Sequence, residues 1–235
     1  MDNYRFLQAK DFVVFSLDNK DHIGELNEKF LHAILKKYLE WDEKYHEVKI
    51  QRFVADVCFQ NQIYEIQTRN FEKLKKKLDF FLTNYRVEVV YPMTHFKYIC
   101  YLDENKRRRS PKVGSLYQVF KELYKIKPYL HYPHFSLRII KMNVEEYRYL
   151  KDKKLQRYDA IPIELVEELQ FIQLRDYRIF LPSSLPMIFT SFDLAKQAKI
   201  SRALAQVTLN VLWDMKVVKR VGKENKSYLY QINMD

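Results

Sequence analysis

Apolar and polar residues alternate most regularly between positions 53 and 68, F-V-A-D-V-C-F-Q-N-Q-I-Y-E-I-Q-T. A period of two predicts two short strands on either side of the polar turn Gln60-Asn61-Gln62. Phe53, Ala55, Val57 and Phe59 then share one face with Tyr64 and Ile66, and Val54, Asp56 and Cys58 share the other with Ile63, Glu65 and Gln67. A hairpin centred between Gln60 and Asn61 sets Asp56 opposite Glu65, where Cβ atoms lie about 4.5–5.5 Å apart and like charges repel. Two carboxylates held that way call for a cation between them, and Mg²⁺ is a hard ion that takes carboxylate and carbonyl oxygens. The plain alternative is a turn of odd length that offsets the pair and leaves one acid in solvent.

The pattern around this hairpin changes period several times. The apolar run Phe12-Val13-Val14-Phe15 predicts a short strand or an arm packed on the core. Leu26, Phe30, Leu31, Ile34, Leu35, Tyr38 and Leu39 follow at helical spacing, with Glu25, Glu28 and His32 on or beside that helix; a lone histidine there reads as packed or at the surface. Residues 47–51 begin a strand that makes the hairpin a three-strand run. Phe71, Leu74, Leu78, Phe81 and Leu82 then mark a helix capped by Asn70, its other face carrying Lys73, Lys75, Lys76 and Lys77. Residues 87–92 predict a buried strand ended by Pro92, and 98–102 another. A basic loop, 106–112, places Lys106, Arg107, Arg108, Arg109 and Lys112 together, either against phosphates or simply solvated. Leu116, Val119, Phe120 and Leu123 predict a helix, 135–142 a last strand, and 164–174 a connecting helix. The polar stretch 151–159 is the expected boundary between domains at 1–158 and 159–235.

Beyond it, Thr190-Ser191 caps a short helix over 192–198, and Ser201 caps a longer one reaching Met215 with Leu204, Val207, Thr208, Val211, Leu212 and Met215 inward. Val217-Val218 opens a strand, 220–226 is a polar turn containing Gly222, and 228–232 returns. Helix, turn, helix and hairpin form the winged-helix pattern. In a DNA-binding version Arg202, Gln206 and Asn210 face base edges, and Lys223 and Lys226 meet phosphates. Winged helices also serve as protein–protein or dimerisation modules.

Composition narrows the function classes. The 235 residues are 47% hydrophobic and 15% aromatic, so a folded core is expected. The three glycines, Gly24, Gly114 and Gly222, are too dispersed for a phosphate-binding glycine loop. Cys58 and Cys100 are too few for a zinc site and read as apolar thiols of a reducing cytoplasm. The N-terminus lacks the charged and apolar regions of a signal peptide, and no stretch approaches a membrane span, so a cytoplasmic protein without membrane contact is expected. A net charge of +11 points to a polyanionic partner, although such charge also serves solubility alone.

Asp56, followed across a hairpin by Glu65-Ile66-Gln67 and then a helix, resembles the PD-(D/E)XK nuclease-like superfamily over roughly residues 22–92. The E-I-Q-T-x-N-F, V-Y-P, R-R-x-S-P-K and L-P-x-x-F-T stretches at 65–71, 90–92, 107–112 and 185–190 resemble a bacterial group with no activity to carry over. The superfamily resemblance implies an α/β restriction-endonuclease-like αβββαβ core, followed here by the winged helix. It implies that Asp56 and Glu65 bind Mg²⁺ (or Mn²⁺) with the backbone carbonyl of Ile66, and that Glu28, or Glu25, is the helix acid. Gln67 stands where lysine is usual, and Ala55 where proline is usual. Glutamine orients water but supplies no positive charge, so Lys73 becomes the candidate for that charge. The implied activity is metal-dependent hydrolysis of nucleic-acid phosphodiesters, DNA before RNA, and a homodimer suits a nuclease that makes paired cuts. The alternatives are a catalytically silent DNA-binding regulator or scaffold on the same fold, and an interaction protein with an acidic partner.

Overall fold

The computed structural model describes residues 2–18, 29–151 and 154–234. It is a mixed α/β structure of two compact units, each assembled from three stretches of chain: 1–68, 88–115 and 138–169 in the first, and 69–87, 116–137 and 170–235 in the second.

The first unit begins with helix α1, Asn3–Asp18, where a short strand or a packed arm was expected over residues 12–15. Phe6, Ala9 and Val13 are buried at helical spacing, while Tyr4, Phe12 and Phe15 are exposed. A four-residue apolar run does not separate strand from helix, and packing of the Phe6–Ala9–Val13 stripe decides the matter over the β propensity of the valines. Helix α2, Lys29–Leu39, packs beside α1 as the periodicity predicts. Phe6, Ala9 and Val13 of α1 and Ile34, Leu35 and Tyr38 of α2 join one core with Ile66, Val90, Ile140, Met142, Val144 and Leu165. Lys37 bridges the helices, its Nζ 4.1 Å from the ring of Phe12 and 4.8 Å from that of Trp41, with Glu43 at 3.0 Å.

Those partners lie on a seven-stranded sheet of β1 (His46–Ile50), β2 (Phe53–Phe59), β3 (Gln62–Ile66), β4 (Arg86–Tyr101), β5 (Lys106–Arg109), β6 (Phe135–Lys151) and β7 (Lys154–Phe171). The spatial order is β1-β2-β3-β4-β6-β7, and β5 pairs with β4. The expected strand ending at Pro92 and the separate strand at 98–102 are one continuous strand, β4. Residues 90 and 92 aim their backbone groups to the same side. The N–H that Pro92 lacks therefore falls where Gln67 N donates to Val90 O and β3 ends, and the side facing β6 is spared.

Of the polar stretch 151–159 the described residues lie in strands, Lys151 at the end of β6 and 154–159 at the start of β7, so the expected boundary at 158/159 falls inside β7. The expected helix over 164–174 is also strand as far as Phe171. Its helix-like glutamate spacing has another cause. Glu164 accepts from Asn143, Glu167 pairs with Lys141 and Glu168 with Arg138, all partners on β6. Arg138 also binds Glu88 through Nε and Nη2, both at 3.0 Å, and Glu168 accepts from the Tyr38 hydroxyl at 2.8 Å. One guanidinium thus joins α2, β4, β6 and β7.

In the second unit Phe71, Leu74, Leu78, Phe81 and Leu82 are all buried, as their spacing predicts. The helix opens as a 3₁₀ turn, Phe71–Leu74, before α3, Lys75–Phe81, and Asn70 enters it in the left-handed region without capping through its side chain. Helix α4, Phe120–Leu123, follows, and Phe180 sits among Phe120, Phe171 and Tyr117 with ring centroids 4.7–5.5 Å apart. Helices α5 (Ser191–Ala198) and α6 (Arg202–Asp214) have the expected caps: Thr190 and Asp193 form a reciprocal capping box, and Ser201 Oγ accepts from Leu204 N. Strands β8 (Val218–Glu224) and β9 (Ser227–Ile232) form a hairpin. The expected polar turn over 220–226 shrinks to Asn225-Lys226, both at positive φ as a tight hairpin turn requires, and Gly222 sits at a bulge within β8.

Replacing Glu88 with alanine leaves the half-buried Arg138 guanidinium with Glu168 and is expected to cost about 1–3 kcal/mol, read as a lowered urea midpoint. Burial, then the hydrogen bond and charge of Glu168, push the Tyr38 hydroxyl from its ordinary 10.0 up to about 12. A raised pKa in the fold means that this group's contribution is complete below pH 10 and lost as pH rises through about 12. Tyr38→Phe should remove that part of the alkaline fall in stability, measured by urea melts across this range.

Candidate functional site

The β2–β3 pairing sets Val57 against Tyr64, Cys58 against Ile63 and Phe59 against Gln62, and Asp56 and Glu65 are the residues just beyond the Val57–Tyr64 pair, one on each strand. The centre of the hairpin is Gln60-Asn61, and Gln60 takes a positive φ to close it. Glu65 is 2% exposed and Asp56 is half-buried. Asp56 does not point away into solvent, because its Oδ2 accepts from the backbone N–H of Ile66 at 2.7 Å, which leaves Oδ1 for another partner.

The carbonyl of Ile66 has a partner that sequence reasoning passed over. His32 of α2 places Nε2 3.1 Å from Ile66 O. A carbonyl only accepts, so Nε2 carries a proton and donates it. Nδ1 is buried and has no hydrogen-bond partner among the described residues, a condition that costs about 1–3 kcal/mol. Gln67 N is bonded to Val90 O at 2.9 Å. The backbone from Ile66 to Gln67 is therefore pinned by Asp56, His32 and β4. The available signal in the sequence was position: His32 lies four residues after Glu28.

Two carboxylates and a backbone carbonyl are hard oxygen donors of the kind that Mg²⁺ or Mn²⁺ takes, and Mg²⁺ keeps several waters, so a partial protein set suits it. No cluster of three or more His, Cys, Asp or Glu suited to a metal occurs among the described residues. Glu28 and Glu25, the expected helix acids, lie outside the described residues. Gln67 is half-buried at the end of β3, and Lys73 is exposed in the 3₁₀ turn of the second unit. Cys58 and Cys100 are free and half-buried, and burial holds both thiols above their ordinary value, which argues against nucleophilic roles.

The basic residues are more ordered than expected. The stretch 106–109 is not a loop but strand β5, paired Tyr98↔Arg109 and Cys100↔Arg107. The Arg107 guanidinium lies 3.9 Å from the Tyr98 ring centre and its Nε binds Glu145 at 2.8 Å; Arg109 lies 3.6 Å over Phe96, and Arg108 Nε donates to the Tyr101 hydroxyl. All three arginines remain exposed. The segment then turns back on β4 so closely that a Cβ on Gly114 would lie 1.9 Å from Thr94 O, so only glycine fits there.

In the second unit Arg202 and Gln206 are exposed on α6, and Lys223 and Lys226 on the hairpin. Arg202 touches that hairpin through Ser227 Oγ at 3.3 Å. Asn210 differs from expectation: it is half-buried and its Oδ1 accepts from Lys127 Nζ at 3.0 Å, so its carbonyl end serves packing rather than an open surface. Arg220, not anticipated, is sandwiched between Trp213 at 3.8 Å and Tyr228 at 3.9 Å.

With this geometry in place, the comparisons give the chain its relatives. A family model described as Domain of unknown function (DUF8091) matches residues 29–172. The chain belongs to this family. The DUF8091 stretch takes in α2 and the whole sheet, and stops before α5. A protein of Treponema pallidum (strain Nichols), described as an uncharacterized protein, is 31% identical over 185 residues, which is 74% of each chain. No solved structure matches. Among the described residues no helix is long and apolar enough to cross a membrane.

Asp56→Ala removes the acceptor of a half-buried N–H and is expected to cost about 1–3 kcal/mol in a urea melt, whereas Asp56→Asn keeps an acceptor oxygen and should cost less.

Proposed function

We propose that this DUF8091 chain is a Mg²⁺- or Mn²⁺-dependent endonuclease that hydrolyses DNA phosphodiester bonds, with a PD-(D/E)XK-like core in the first unit and a winged helix at the end of the second. The observation that carries the reading is the position of Asp56 and buried Glu65, one on each strand just beyond the Val57–Tyr64 pair, with Asp56 Oδ2 accepting from the Ile66 N–H. Asp56, Glu65 and the Ile66 carbonyl would hold the ion. When bound, such an ion lowers the pKa of water and neutralises charge on the scissile phosphate. Gln67, just past the end of the same strand, orients water by hydrogen bonding.

The nucleic-acid side of the reading draws on charge. Arg202 and Gln206 suit base edges, and Lys223, Lys226 and the exposed arginines of β5 suit phosphates. A guanidinium laid on an aromatic ring is held in place, so less side-chain freedom is lost when a phosphate binds.

The test is nicking of supercoiled plasmid by the purified chain with Mg²⁺ or Mn²⁺. Cleavage should fall to background in Asp56→Ala and in Glu65→Ala while DNA affinity is kept. A folded wild-type chain that binds DNA and never cuts with either metal would sink the catalytic reading. That result would leave a DNA-binding scaffold on the same fold, which Gln67 in the lysine position specifically favours. In that case Arg202→Ala with Gln206→Ala should weaken binding more than any change at Asp56, and affinity should fall steeply with salt.

A further inference from the structure

We propose that His32 is a positioning residue of the Asp56–Glu65 site, fixing the Ile66 carbonyl through Nε2–H and leaving its buried Nδ1 for a polar group that enters the site. The inference rests on the metal-site reading above and adds to it a side chain from a different element. Asp56 holds the N–H of Ile66 from β2, and His32 holds its C=O from α2, so one residue is clamped at both of its backbone groups. The carbonyl keeps a second lone pair, and the hydrogen bond from His32 sets the direction in which that lone pair points.

Nδ1 distinguishes this role from simple packing. A histidine kept only to cap a carbonyl gains nothing from burying its other nitrogen bare, yet Nδ1 is buried without a hydrogen-bond partner among the described residues. The ring reaches Ile66 from the first turn of α2, and Ile34 and Leu35, immediately following on that helix, are fully buried. The helix is thus anchored beside the residue that presents the imidazole.

Mn²⁺ binding to the full chain, followed by the electron paramagnetic resonance of free Mn²⁺, tests the proposal without requiring cleavage. His32→Leu keeps bulk and removes both nitrogens, and His32→Gln keeps an N–H that can reach the carbonyl. Mn²⁺ affinity should fall about 10–100-fold in His32→Leu, the usual loss when an outer-sphere partner of a ligand is removed, and recover most of the way in His32→Gln. Thermal melts of both variants establish that they are folded. Equal affinity in wild type and a folded His32→Leu overturns the role of His32 alone. Loss of affinity in both variants, with unchanged melting, overturns positioning through the carbonyl. A folded wild type that binds no Mn²⁺ overturns the metal site itself, and this proposal with it. Should His32→Leu fail to fold, His32→Gln decides: affinity near wild type supports the role, and affinity reduced as far as in Asp56→Ala rejects it.

Discussion

Arg138 brings a full charge toward the interior of the first unit, and the surrounding elements are arranged to answer it. Glu88 from β4 meets two guanidinium nitrogens, Glu168 from β7 meets a third, and Tyr38 from α2 ties Glu168 to the helical layer. Taking ions out of water costs several kcal/mol each, so such a set persists only when nearly every donor and acceptor is used. The requirement fixes more than one contact. It sets which residues of β6 face β4 and β7, and it holds α2 against the sheet at the level of Tyr38. Two helical turns before Tyr38, the same helix carries His32 to Ile66. The polar network and the candidate site therefore share a helix, and an error in one propagates to the other.

The local parts of this arrangement were open to reading from the sequence. The face of α3 follows from the spacing of Phe71, Leu74, Leu78 and Phe81, and the caps of α5 and α6 from Thr190 and Ser201. The pairing of Val57 with Tyr64 follows from a period of two and the centre of a turn. In each case the chemistry that decides the structure lies within a few residues of the feature it decides.

What was not legible depends on partners far along the chain. The glutamates of β7 mimic helical spacing because their bases sit on β6. Pro92 does not stop β4 because its missing N–H falls beyond the end of β3, which nothing in 87–92 reveals. The run 12–15 turns helical because Phe6 and Ala9 find Ile34 and Leu35. The part of His32 in the site likewise appears only once α2 is set beside Ile66. Of the candidate site, then, the two carboxylates were readable and the clamp around them was not.

The chain passes between its two compact units five times, since each is assembled from three separated stretches. Neither can be cut out as a contiguous fragment: a truncation at 158 severs β7, and one after Phe171 leaves the second unit without Phe180, α5 and α6. Such interleaving couples synthesis to folding. The first unit lacks its Glu168 partner until late in translation, and the second lacks its terminal helices until the end. The first unit can close only after the chain has twice left it for the second and twice returned.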